Sequence, residues 1–144
     1  MNPPFPPTVA SAAALAGRIL LALVYLPAGL QKLGAYSGTA EYMAAKGMTM
    51  IPVLLPLSIV VEIGAPLLLI FGLWTWLGAG LLAGFTLIAS LIFHDFWNQT
   101  DMEQIIQMTM FTKNIGLIGG LLLLVAFGPG RWSVAGRRAA RLQG

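Results

Sequence analysis

"PVLLPLSIVVEIGAPLLLIFG", residues 52–72, carries a single charged side chain, Glu62, in an otherwise apolar run. A hydrocarbon core of about 30 Å needs roughly 20 helical residues, so a run of this length reads as a membrane span. Its start suits a helix, because Pro52 can sit in a first turn, where its missing N–H has no intrahelical partner to lose. Working outward, three more runs reach the same length, at about 11–33, 75–96 and 105–127. The chain is expected to be a single integral membrane domain over 1–144. Its fold class is all-α, a polytopic four-helix bundle ending in a basic tail at 128–144.

Composition supports that reading. Apolar residues make up 58% and charged residues 9%, about a third of the globular share, which leaves too little polar surface for a soluble domain. Arg131, Arg137, Arg138 and Arg141 all follow the last run, while the loops before the second and fourth runs hold few lysines and no arginine. The positive-inside rule then puts the C-terminus in the cytoplasm, and four spans return the N-terminus there. A basic tail beside a span reads as facing cytoplasm and anionic lipid, not nucleic acid. The N-terminal stretch "MNPPFPPTVASAAALAGRILL" has its first charge, Arg18, inside the apolar part, unlike a cleaved signal, so it is expected to be retained. Cysteine is absent, which excludes disulfide exchange, thiolate nucleophiles, thiolate-bound clusters and c-type haem attachment.

Local signals divide the chain further. Thr8 or Ser11 can cap the first span, and Pro27 lies where it would kink it. Between the first two spans, Thr39 as N-cap and Gly47 past the end predict a short helix over 40–46. Trp74 and Trp76 fit an interfacial aromatic belt. "TDME" at 100–103 reads as a capping box that starts the last helix near Asp101, and "GPGR" at 128–131 ends it. Two glycine pairs, Gly80 with Gly84 and Gly116 with Gly120, predict close helix approach and a compact bundle. The Asn98-Gln99-Thr100 sequon reads as chance.

Polar residues within the spans define the candidate site. Arg18, Tyr25 and Lys32 are seven apart and share a helix face. A lone charge near the midplane costs at least about 2.5 kcal/mol, so Glu62 is expected to have a partner, and Arg18 is expected to be that partner. The pair reads either as a structural ion pair or as a proton-accepting group in a cavity. At the outer level stand Lys32, His94, Asp95, Lys113 and Asn114, either as a polar rim or as a small pocket. His94 and Asp95 point about 100° apart, so at most one faces the bundle axis. A histidine there can hydrogen-bond a quinone carbonyl and pass a proton near neutral pH. One histidine gives neither bis-histidine haem nor a zinc site, so no metal site is expected.

These residues also carry a resemblance. "GRILLALVYLPAGLQKL" at 17–33, "EYMAAKGM" at 41–48 and "VEIGAPLLLIFG" at 61–72 stand in the order and spacing of the DoxX/DoxD-like membrane proteins. "FHDFW" at 93–97, "FTKNIGLIGGLLLL" from 111 and "GPGRWSV" at 128–134 continue the match over nearly the whole chain. The resemblance implies a four-helix bacterial inner-membrane protein of the kind associated with redox complexes, and it carries over to Arg18, Lys32, Glu62, His94, Lys113 and Asn114. Pro66 departs from it, standing where relatives often have a glycine pair after the glutamate.

The expected function is a membrane subunit of a respiratory or redox assembly that anchors a partner and shapes a quinone pocket. No self-contained active site is recognised, and any redox cofactor would belong to a partner, with quinone the one candidate ligand. The alternative is a non-catalytic scaffold for other membrane chains; a small-molecule carrier is a third reading. Expected partners are the lipid bilayer and membrane or redox-complex proteins, with a homo-oligomer left open and nucleic acid excluded.

Overall fold

The computed structural model describes residues 6–142, so the first five residues of the Pro-rich leader and the last two of the chain lie outside it. Six α-helices follow in order: α1 Pro7–Gly34, α2 Tyr36–Ala45, α3 Ile51–Phe71, α4 Thr75–Phe93, α5 Asp101–Phe127 and α6 Val134–Leu142, with a short 3₁₀ turn at Phe96–Asn98. Four helices are long and apolar enough to cross a membrane, and among the described residues there is no strand. The all-α four-span bundle is the observed fold.

α1 begins earlier than its apolar run. Proline at the first helical position presets φ, so the helix starts at Pro7, and the expected side-chain cap is not made. Ser11 is already inside the helix, its Oγ donating to Pro7 O at 2.7 Å. α2 likewise starts at Tyr36, which puts Thr39 inside it, with its hydroxyl bonded to Ala35 O at 2.9 Å. Its end matches the sequence. Gly47 takes φ +75, its N–H reaches Ala44 O, and the next N–H, of Met48, reaches Met43 O. α5 starts at Asp101 as expected, but no capping box forms: the Thr100 side chain makes no cap bond, and Glu103 accepts from Gln107 Nε2 one turn later.

α1 packs on α3, α3 on α4 and α4 on α5, while α1 and α5 touch only lightly. The connections place α2 and the 3₁₀ turn at one end, and α6 with the α3–α4 turn at the other. One core cluster joins Tyr25, Ala65, Leu69, Leu82 and Leu121 across all four spans. A second, toward the α2 end, gathers Met43, Leu55 and Ile59, with Phe93 against it. Leu20, Leu23, Val60, Ile88, Leu122 and Leu123 point outward and stay exposed, as side chains facing lipid do.

Close helix approach uses other glycines than the predicted pairs. A Cβ on Gly29 would come within 2.9 Å of Ile63, and one on Gly78 within 2.9 Å of Leu69, so these two permit the α1–α3 and α3–α4 contacts. Gly80, Gly84 and Gly116 have nothing within 4 Å of such a Cβ, and Gly120 makes only ordinary contact with Leu21. Gly80 and Gly84 open space rather than close it.

Candidate functional site

The space they open is part of a cavity of about 740 Å³ bounded by α1, α2, α3, α4 and two side chains of α5. It runs between the two core clusters, with Tyr25 of the first and Met43 of the second in its wall. Most of that wall is apolar, with polar groups placed at a few levels.

Lowest in the ladder is Tyr25, 2.8 Å from Thr86 Oγ1. The Thr86 hydroxyl spends its single proton on Leu82 O at 2.7 Å, so Tyr25 must be the donor between the two. One turn along α4, Ser90 Oγ donates to Thr86 O at 2.6 Å and accepts from Asn114 Nδ2 at 2.9 Å. One turn further, His94 Nδ1 lies 2.8 Å from Gln107 Oε1. The Gln107 amide nitrogen is committed to Glu103, which fixes Oε1 as an acceptor and Nδ1 as the protonated nitrogen of His94. The lone pair of a neutral His94 is then on Nε2. Thr86, Ser90 and His94 are each four residues apart, so this polar line rises by about 6 Å per step along one face of α4.

Facing it, Lys32 of α1 donates to Glu62 Oε2 of α3 in a salt bridge, with Glu62 buried. Lys32 Nζ also lies 5.5 Å from the centre of the Phe85 ring, a cation–π contact. The expected Arg18–Glu62 pair is therefore not formed. Helical side chains lean toward the N-terminus of their own helix. Lys32 on α1 and Glu62 on the antiparallel α3 lean toward each other, whereas Arg18 leans away. The levels differ too: Glu62 packs beside Gly29, which is about 16 Å along α1 from Arg18. Arg18 is fully buried at the far end, where its guanidinium donates to Leu69 O at 3.0 Å, Ile70 O at 3.2 Å and Trp132 O. At the end of α3, where the last carbonyls run out of helical donors, it joins the Gly72 N–H on Leu69 O and also bonds Ile70 O.

Of the outer-level residues, Lys32, His94 and Asn114 line the cavity together with Glu62. Asp95 does not. It holds the rim, accepting from Lys46 at 3.3 Å, Asn98 at 3.3 Å and Gln99 at 3.4 Å. Lys113 is on the exposed side of α5, its Nζ 3.4 Å from Met110 Sδ, because Asn114 takes the inward position beside it. Tyr25, Thr86, Ser90 and Gln107 belong to the ladder and were missed as site residues. The spacing of 86, 90 and 94, and of 107, 114 and the buried Leu121, was the available signal. At the α2 end, Thr39, Tyr42 and Met43 bring α2 into the wall, and Tyr42 stacks on Phe93 with ring centres 5.6 Å apart.

Four apolar spans around a partly open, sparsely polar cavity define a multi-pass membrane protein with a candidate small-ligand site. The DoxX family model matches residues 13–95, and the chain belongs to the DoxX family. It is 38% identical to the inner membrane protein YqjF of Escherichia coli (strain K12) over 120 residues, 83% of this chain and 87% of that one. With the inner membrane protein YphA of the same organism the identity is 32% over 120 residues, 83% of this chain and 86% of the relative. No solved structure matches. The chain is a multi-pass inner-membrane protein.

Proposed function

We propose that this protein is the membrane subunit of a redox assembly and seats the head of a quinone in the cavity. The observation that carries the reading is the convergence of Lys32, Glu62, His94 and Asn114 on one cavity of otherwise mainly apolar wall. Ligand sites for small molecules have this character: about 300–1,000 Å³, apolar sides and a few orienting polar groups. A quinone suits it because its ring carbonyls accept hydrogen bonds, while its chain prefers apolar walls such as Leu57, Val61 and Leu81. Lys32, an ammonium with three N–H groups, is the donor for a ring carbonyl, neutral His94 offers its Nε2 lone pair to accept a proton from a quinol hydroxyl, and electron transfer belongs to a partner protein.

The test is to purify the chain in mild detergent, extract its bound lipids and quantify quinone per chain against the bulk membrane ratio. Enrichment over bulk is expected in the wild type. It should fall several-fold in His94→Asn and stay unchanged in Lys113→Gln, whose side chain faces away from the cavity. A wild type with no enrichment would overturn the quinone reading. Co-purification of stable partner chains without quinone would favour the scaffold reading instead.

A further inference from the structure

The arginines after the last span are held in place by the fold. Trp132 O accepts from the buried Arg18, and Ala135 N–H donates to Gly72 O at 3.2 Å. Ser133 caps α6, its Oγ accepting from Gly136 N–H at 2.9 Å and donating to Gly130 O at 2.6 Å. Gly72 makes room for this stitching: a Cβ there would come within 2.3 Å of Ser133 Cβ and 2.5 Å of Arg18 Nη1. A fully buried arginine and a left-handed glycine thus dock a short basic helix against the end of the bundle.

The helix displays one charged sector. At 100° per residue, Arg137, Arg138 and Arg141 fall within an arc of about 100°. Gly136 lies away from that arc and packs on the backbone of Gly130 and Arg131, so the arginines remain exposed. The stretches that build this end, residues 7–18, 69–78 and 124–142, contain no acidic side chain. Next to α6 is a cleft of about 500 Å³ with Leu15, Ile70, Phe71, Trp132 and Val134 on its apolar sides and Arg137 in its wall. Trp74, Trp76 and Trp132 are exposed at the same end, which marks the headgroup level of a bilayer.

An apolar cleft under a cationic sector, at headgroup depth, is complementary to an amphiphilic anion. We infer that the cleft seats one anionic phospholipid, its phosphate on Arg137 and Arg141 and its acyl chain along Ile70 and Phe71. This site is at the opposite end of the bundle from His94, and it stands whether or not the cavity takes a quinone.

The experiment titrates the purified full-length chain in nonionic detergent with phosphatidylglycerol or phosphatidylcholine and counts retained lipids by native mass spectrometry. One phosphatidylglycerol per chain is expected at concentrations that leave phosphatidylcholine unbound. Arginine near a lipid surface contributes about 1 kcal/mol each, so Arg137→Gln with Arg141→Gln should weaken retention by about 30-fold. Replacing the same two by lysine should keep it within roughly threefold, because the charge is preserved. Both side chains are exposed, so the thermal melt of either variant should match the wild type. Equal retention of phosphatidylcholine, or unchanged retention in the glutamine variant, would overturn the inference. Displacement of phosphatidylglycerol by a short DNA duplex at equal charge would also overturn it, in favour of a soluble polyanion.

Discussion

Lys32 and Glu62 show how little of a pairing is decided by depth alone. Both residues stand out as charges inside apolar runs, and a charge such as Glu62 at that depth needs a partner. Its partner follows from side-chain direction, which brings Lys32 down and Glu62 up toward one level while Arg18 turns to the carbonyls of α3. Breaking a buried pair costs about 3–5 kcal/mol. The Lys32 side chain keeps 28% of its exposure, so Lys32→Met should destabilise by a smaller amount, roughly 2 kcal/mol. The double change Lys32→Met with Glu62→Gln should be less damaging than Lys32→Met alone, measured as melting temperature in detergent. A double variant clearly less stable than that single one would remove the pairing. Arg18→Met should instead add to Glu62→Gln within about 0.5 kcal/mol, as separate sites do.

At the scale of elements, the α3–α4 turn and α6 stabilise each other. Gly72 holds φ +64, a region where a Cβ costs about 1–2 kcal/mol, and its neighbours leave that Cβ no room. Gly72→Ala should therefore undock α6 before it harms the spans. Trypsin in detergent should cut after Arg131 and Arg137 about tenfold faster, a ratio set by roughly 1.4 kcal/mol of lost docking, while far-ultraviolet helicity stays near wild type. Unchanged digestion would mean that α6 is not held by this contact. The helices were largely readable from apolar run length, and the end of α2 from Gly47. Helix starts were less so. Thr8, Ser11, Thr39 and Thr100 are all acceptable caps by residue type, yet none makes the bond: α1 and α2 begin before their candidates, and Thr100 holds the N-cap position of α5 without a side-chain bond.

Taken whole, the molecule is electrically lopsided. Five arginines stand at the end that carries the termini, and all five acidic side chains, Glu41, Glu62, Asp95, Asp101 and Glu103, lie at or toward the other. The positive-inside rule predicts that the arginine end is cytoplasmic. A reporter fused after Gly144 should be active only in the cytoplasm, and one inserted beside Asn98 only outside. Activity in the reverse pattern would invert the bundle and place the α2 end of the cavity on the cytoplasmic side.

Sequence alone determined the number of spans, their approximate limits and the family, because transfer of apolar length into hydrocarbon depends on composition along the chain and hardly on neighbours. It also marked the residues able to do chemistry, since buried charge and a histidine in an apolar run stand out wherever they fold. Which of them meet was decided only in three dimensions. Asp95 and Lys113 left the candidate pocket because each lies next in sequence to the residue that faces inward, His94 or Asn114. Tyr25 and Thr86 joined it, and Ser90 holds Asn114 there, through contacts between helices far apart in the chain, and Arg18 found carbonyls that no reading of its own helix could supply. Spacing along one helix gives a face; the rotation and level of the facing helix, set by close packing at Gly29 and Gly78, decide what that face meets.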